Sequence, residues 1–279
     1  MLRAAFTQFE KNKIPLVDAE ILLAHLLGVS RKEIHSQGLE IDNVQLEKIT
    51  NEYNEVISQR LLGRPVQYIT GSAPFRYLDL EVGEGVLIPR PETEVLVDIA
   101  LQFIWANNQV KSVIDLGAGS GAISIALFAE AALKARDLQI TAVEKSTEAI
   151  SYLQKNIAKY EVPIRVVNED VADALIGVKA DLVVANPPYV PDGETLNSEV
   201  DKYEPKIALR GGSDGTEIPA LFLKNAIRML KPDGVFIMEH HESHADKIAQ
   251  MFLHAFKEVQ GHKDLNGRDR FTSGILKNI

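Results

Sequence analysis

From Lys111 onward the chain alternates short β-branched apolar runs with helical patterns, and this regularity limits the fold more than any single motif does. Candidate strands fall at 112–116, 140–144, 164–168, 181–185 and 235–239, and a closing pair follows at 257–260 and 270–277. Strands separated by helices pair in parallel through crossovers, so both faces of the sheet are covered. The expectation is therefore an α/β, doubly wound sheet. Lys231-Pro232-Asp233-Gly234 reads as a tight turn feeding the fifth strand, and residues 191–215, long, polar and glycine-rich, read as the flexible piece.

The segment 1–71 is helical by pattern and is read as a separate bundle, for substrate recognition or, equally simply, as a passive stabilising appendage. Ile21, Leu22, Ala24, His25, Leu26 and Leu27 follow Pro15, and Gly28 is a natural stop. Ser30 with Glu33 predicts a capping box for a short helix ended by Gly38. Asp42 with Gln45 opens a longer helix bearing Leu46, Ile49, Tyr53, Ile57 and Leu61 at helical spacing, and Gly63 and Pro65 close the bundle. A β-hairpin linker is expected over 72–91. Leu78, Leu80 and Val82 alternate with acidic residues there, and Gly83-Glu84-Gly85 turns the chain into Val86-Leu87-Ile88. Pro91 then begins a helix with Val95, Leu96, Ile99, Ala100 and Phe103 on one face, opening a domain that runs over 92–279.

The formal charge of −9 and pI near 5.3 argue against a generic nucleic-acid binder, which needs a basic face to neutralise phosphates. The absence of cysteine excludes disulfides, thiolate catalysis and cysteine-ligated zinc. The first ten residues lack the apolar core and cleavage site of a signal peptide, and no uncharged run approaches membrane-spanning length. A cytoplasmic protein with no membrane partner is expected, with a monomer as its working state.

Two strand ends carry the chemistry. After the first strand, Asp115-Leu116-Gly117-Ala118-Gly119-Ser120-Gly121-Ala122 forms a glycine loop that lets backbone approach a ligand at a helix N-terminus. Gly117, Gly119 and Ala122 also satisfy the dinucleotide fingerprint, whereas the carboxylate of Asp115 suits a cation better than a pyrophosphate. Glu144 ends the second strand, where an acid can take both ribose hydroxyls of NAD or of S-adenosylmethionine. Asp170, with the backbone of Val171, is within reach of an adenine edge.

The other strand end is Asn186-Pro187-Pro188-Tyr189. The prolines remove backbone donors and stiffen the exit, leaving carbonyls free to accept from something else. The Asn186 side-chain oxygen and the Pro188 carbonyl suit the two N–H groups of a planar NH₂, and the Tyr189 ring suits its flat face. In a doubly wound sheet the first and fourth strands are neighbours where the winding reverses, so both loops open onto one crevice. A methyl donor and a nitrogen acceptor need that arrangement; hydride transfer gives no reason for it. Glu239-His240-His241-Glu242-Ser243-His244 is rich in ligand types but is not H-E-x-x-H, so no metal is expected and a solvated strand-to-helix junction is the reading. Asp264 to Phe271 reads as a surface turn or as part of the crevice rim, with Arg268 and Asp269 as a local ion pair.

The chain resembles the protein-(glutamine-N5) methyltransferases that modify peptide chain release factors. The likeness runs nearly end to end, through Gly63-Arg64-Pro65-Val66-Gln67-Tyr68-Ile69-Thr70-Gly71, Leu87-Ile88-Pro89-Arg90-Pro91-Glu92-Thr93-Glu94, the glycine loop, Asn-Pro-Pro-Tyr, and Gly267-Arg268-Asp269-Arg270-Phe271. The segment Ile88 to Glu94 is specific, whereas Asn-Pro-Pro-Tyr is shared with DNA adenine and RNA guanine N-methyltransferases. The resemblance implies a Rossmann-like seven-stranded methyltransferase sheet and S-adenosylmethionine as donor. It implies, as acceptor, the glutamine of the Gly-Gly-Gln motif of class I release factors, hence a part in translation termination. Gly117, Ala118, Gly119, Ser120, Gly121 and Glu144 would bind the donor, with Asp170 and Val171 at its adenine and Asn186 to Tyr189 on the glutamine amide. His241 stands where relatives commonly carry glycine, and Val171 where a bulkier residue is usual. Three other readings compete: an N-methyltransferase for a nucleic-acid base, a non-catalytic adaptor of the same fold, and a dinucleotide-dependent oxidoreductase.

Overall fold

Local signals decide where the N-terminal helices begin and stop. The computed structural model describes residues 1–35 and 42–278, so the expected stop at Gly38 lies outside the described residues. The chain divides into two units, Met1–Ser72 with Asn197–Tyr203, and Ala73–Leu196 with Glu204–Ile279. In the first, α1 (Leu2–Lys11) is followed by α2 (Leu16–Leu27), which Gly28 ends in the left-handed region at φ 66°. The Ser30 N–H bonds Glu33 at 2.7 Å ahead of a single 3-10 turn. The Asp42–Gln45 capping box opens α3 (Asn43–Leu61), on which Tyr53 and Ile57 are buried and Leu46 is exposed.

Gly63 and Pro65 do not close the bundle. A further helix, α4 (Val66–Thr70), follows, because Pro65 precedes its first turn, where a missing N–H costs nothing, and Val66 joins Phe9, Leu22 and Tyr53 in the core. Arg60 is buried on α3, held by Asp18 at 2.8 Å and by Glu199 at 2.9 Å.

In the second unit the hairpin is displaced from its expected position. β2 (Leu78–Glu81) pairs with the preceding β1 (Ser72–Phe75), and Val86 to Ile88 form no strand. Arg76, at φ 52°, makes the tight turn with Tyr77. On the edge of β2 turned away from β1, the backbone of Asp79 is taken by the Tyr160 hydroxyl and that of Glu81 by the Asn156 amide, so no ladder is left for 86–88.

A 3-10 turn (Pro91–Thr93) leads into α5 (Glu94–Ala106), which buries Leu96, Val97, Ala100, Leu101 and Ile104; Val95, Ile99 and Phe103 are only partly covered. The strands of the large sheet are β3 (Ser112–Leu116), β4 (Gln139–Glu144), β5 (Arg165–Asn168), β6 (Ala180–Ala185), β7 (Leu230–Glu239), β8 (Phe256–Lys263) and β9 (Asp269–Leu276). Their order is β5-β4-β3-β6-β7-β9-β8. The first five are parallel, and β9 runs antiparallel to both neighbours, since the short turn from β8 leaves no room for a crossover. The expected turn at Lys231 to Gly234 lies inside β7 as a bulge: Ala180 pairs with Leu230 and Leu182 with Val235.

Alternate residues of β3 serve the two faces, Val113 one and Ile114 and Leu116 the other. The first face is covered by α5, α6 (Ala122–Ala132) and α7 (Thr147–Tyr160). The second is covered by α9 (Glu217–Met229) and α10 (Ala245–Leu253). Residues 191–215 are not a structureless loop. They carry α8 (Ser198–Tyr203) and a 3-10 turn (Lys206–Ala208), and Val190 bridges Arg210 in parallel.

Candidate active site

β3 and β6 are neighbours, with Leu116 opposite Ala185, so the two chemistry-bearing loops leave the sheet side by side at the same level. A cavity of about 400 Å³ lies beyond them, a size in the range of small-molecule sites. Gly117, Ala118, Gly119, Ser120, Glu144, Asp170, Val171, Asn186 and Pro188 line it. Asp115, Gly121, Pro187 and Tyr189 do not.

Each of those four has another partner or setting. Asp115 is fully buried and accepts from Ser124 at 2.6 Å, and burial pushes its carboxyl up to about 7. Gly121, at φ 85°, packs so closely that a Cβ would meet Leu153 at 2.5 Å. Pro187 is buried. The Tyr189 hydroxyl donates to Glu239 at 3.2 Å, its ring faces His241, and burial with the Glu239 charge holds the phenol well above its usual range.

The donor side fits a ligand carrying a ribose. Gly117 and Gly119 have φ of 72° and 56°, and a Cβ on Gly119 would meet nothing within 4 Å, which leaves that side of the loop open. Glu144 accepts from the Gly119 N–H at 2.9 Å on Oε2, and from Lys145 and Ser146 on Oε1. Three of roughly four carboxylate lone-pair positions are thus filled, and Oε2 retains one for a hydroxyl. Asp170 accepts from the Ala172 N–H at 3.0 Å and pairs with Lys145, and these hold its carboxyl below the ordinary range.

On the acceptor side the Asn186 Nδ2 donates to Thr93 Oγ1 at 3.0 Å, which leaves Oδ1 as its accepting atom. Thr93 in turn donates to Glu239 at 2.7 Å. Among the described residues no hydrogen bond reaches the Pro188 carbonyl. The exit from Asn-Pro-Pro-Tyr is fixed by strand-like pairing: Val190 N–H to Leu209, Gly211 N–H to Val190 and Asp192 N–H to Gly212.

Several residues were not flagged by the sequence. Thr93 and Arg90 come from the Ile88–Glu94 segment and line the cavity. Glu204 accepts from the Ile88 N–H at 3.2 Å and from Arg90 at 2.6 Å, joining two cavity walls. The junction expected to be solvated is so only in part: Glu242 and Ser243 are exposed, whereas Glu239 and His240 are at most 1% exposed, because the end of β7 lies between β6 and β9. The Asp264–Phe271 turn does not line the cavity. Arg268 pairs there with Glu242 and Asp269 with Lys263, so the expected Arg268–Asp269 pair is replaced.

Comparison with known proteins separates the remaining readings. Residues 1–71 match the PrmC N-terminal domain and residues 93–202 the methyltransferase small domain. A release factor glutamine methyltransferase of Bifidobacterium longum is 36% identical over 277 residues, covering 94% of this chain and 92% of that one. The chain belongs to the release factor glutamine methyltransferase family. A member from Streptomyces coelicolor is also 36% identical, over 93% of this chain and 90% of its own. Among solved structures, a 16S rRNA methyltransferase of T. thermophilus in complex with AdoMet and guanosine superposes with a TM-score of 0.53 at 20% identity, over 74% of this chain and 50% of that one. A ribosomal protein L11 methylase of Lactobacillus delbrueckii gives 0.51 at 20%, over 71% of this chain and 86% of its own. These two share the fold of the family's methyltransferase sheet.

Proposed function

We propose that the chain transfers a methyl group from S-adenosylmethionine to the side-chain nitrogen, N5, of the glutamine in the Gly-Gly-Gln motif of class I peptide chain release factors, in the cytoplasm. The observation that carries this reading is the pair of acceptors, Asn186 Oδ1 and the Pro188 carbonyl, on the same cavity as the open glycine loop. When bound, S-adenosylmethionine supplies an electrophilic methyl on a sulfonium.

An amide nitrogen is a weak nucleophile because its lone pair is delocalised into the carbonyl. Asn186 and Pro188 accept its two N–H groups, favour the positive charge that develops as the N–C bond forms, and aim the nitrogen at the methyl carbon. The donor would supply the methyl with the S–C electron pair left on its sulfur, and the amide nitrogen held by Asn186 and Pro188 would give up one proton to solvent. Glu144 and the loop from Gly117 hold the donor, and Asp170 with Val171 border its adenine. Tyr189 acts from behind the corner, through Glu239. Every cavity-lining residue belongs to the α/β unit. That leaves segment 1–71 for recognition of the release factor.

The nucleic-acid-base reading is disfavoured by the net charge of −9. Mass spectrometry of a release factor incubated with protein and donor tests the proposal. One added methyl on the glutamine of Gly-Gly-Gln supports it; methylation elsewhere, or none, refutes it.

A further inference from the structure

Thr93 in the cavity wall and Glu239 behind it are buried, at 4% and 1% exposure, and neither is required by the transfer chemistry itself. Two hydroxyls converge on this one carboxylate: Thr93 on Oε2 at 2.7 Å and Tyr189 on Oε1 at 3.2 Å. We propose that Thr93 and Glu239 are positioning residues that fix the sense of the Asn186 carboxamide, so that its oxygen and not its nitrogen meets the acceptor amide. This inference rests on the proposed function only for the nature of the acceptor.

A hydroxyl has one proton, and Thr93 commits it to Oε2 of the ionised Glu239, whose carboxyl burial raises to about 7, so the arrangement is complete above that pH. Its oxygen must then accept, and the group facing it at 3.0 Å must be the Asn186 NH₂. Turning that amide over would set two acceptors against each other in a buried place, and would point two N–H donors at a substrate nitrogen that also carries only donors. Asn186 by itself has no preference between the two orientations. Thr93, 93 positions earlier, supplies it, and Glu239 on β7 sets the direction in which Thr93 donates.

The decisive set is Thr93→Val, Thr93→Ser, and Thr93→Val combined with Asn186→Ala, assayed on a release factor with the donor saturating. Thr93→Val, close in shape and lacking the hydroxyl, should lower kcat roughly ten- to a hundredfold with the donor Kd unchanged. Thr93→Ser should restore kcat to within about threefold, and the double variant should be no slower than Asn186→Ala alone. Normal kcat in Thr93→Val, failure of Thr93→Ser to restore it, or additive losses in the double variant would overturn the proposal. Should Thr93→Val not fold, Glu239→Gln takes its place in the same cycle.

A second readout does not depend on turnover. The side-chain NH₂ resonances of Asn186, assigned by their loss in Asn186→Ala, should move in Thr93→Val and return in Thr93→Ser; unchanged resonances also overturn the proposal. If the wild-type protein leaves the glutamine unmethylated, the functional reading falls, and these spectra still decide the positioning role.

Discussion

Asn186 donates its side-chain N–H to the Thr93 hydroxyl at 3.0 Å, across 93 positions of sequence. The bond joins the Asn-Pro-Pro-Tyr corner to the segment that begins α5, and it leaves a single accepting atom on Asn186.

Asn186→Ala should lower turnover by roughly two to three orders of magnitude, as loss of one group that stabilises transition-state charge does elsewhere. The donor side is built from Glu144 and the glycine loop, so donor affinity should change little. Donor titration by calorimetry beside single-turnover rates measures the two separately, and a nearly normal rate removes Asn186 from the mechanism.

Gly211→Ala should be harmful although Gly211 is outside every sequence motif. A Cβ there would lie 2.7 Å from the Gly215 carbonyl oxygen, 2.7 Å from Tyr189 Cα and 2.8 Å from the Pro188 carbonyl oxygen. These are backbone atoms and cannot step aside, so about 1–3 kcal/mol of stability should be lost and the accepting carbonyl displaced. Urea denaturation together with kcat checks both effects.

The glycine loop separates packing from binding. Gly121→Ala, at φ 85° with Leu153 at 2.5 Å, combines left-handed strain of about 1–2 kcal/mol with overpacking. Gly119→Ala, at φ 56° in open space, carries the strain alone and puts a methyl into the donor's place. Melting temperature should fall further in Gly121→Ala, whereas donor Kd should rise further in Gly119→Ala.

Asp115 gives a pH dependence of defined sign. Its folded carboxyl is raised from an ordinary 3.8 to about 7, chiefly by burial. Between those values the folded state holds a proton that the unfolded state has released. Stability from this group is therefore full below 3.8, falls as pH rises, and levels off above about 7. Asp115→Asn removes the effect, so the variant should gain on wild type from pH 5 to 7 by at most about 1.4 kcal/mol per pH unit. Buried histidines contribute equally to both proteins and cancel in the difference. Urea midpoints at several pH values test this, and parallel curves would refute the assignment.

What was legible in the sequence is what punctuation and periodicity record. Apolar runs stopped by Gly117 to Gly121 and by Pro187-Pro188 mark two strand ends, and alternation with helices makes those strands neighbours. The Thr93–Glu239 bond spans 146 positions and the Glu204–Ile88 bond spans 116, and neither leaves a periodic trace. The hairpin was misplaced because the Arg76-Tyr77 turn has no glycine, whereas Gly83-Glu84-Gly85 nearby advertises one. Residues 191–215 read as loose because polar and glycine-rich composition does not reveal the pairing of Val190 with Arg210 or the close approach at Gly211.

The measurement that bears most directly on the account is transfer of tritium from labelled S-adenosylmethionine to two release factors that differ only in having Gln or Ala at the end of Gly-Gly-Gln. Label on the Gln protein alone, lost when Asn186 becomes Ala, is the predicted result. Equal label on both proteins, or none on either, would contradict the claim that the glycine loop and the Asn-Pro-Pro-Tyr corner serve one cleft in which a methyl carbon meets a carboxamide nitrogen.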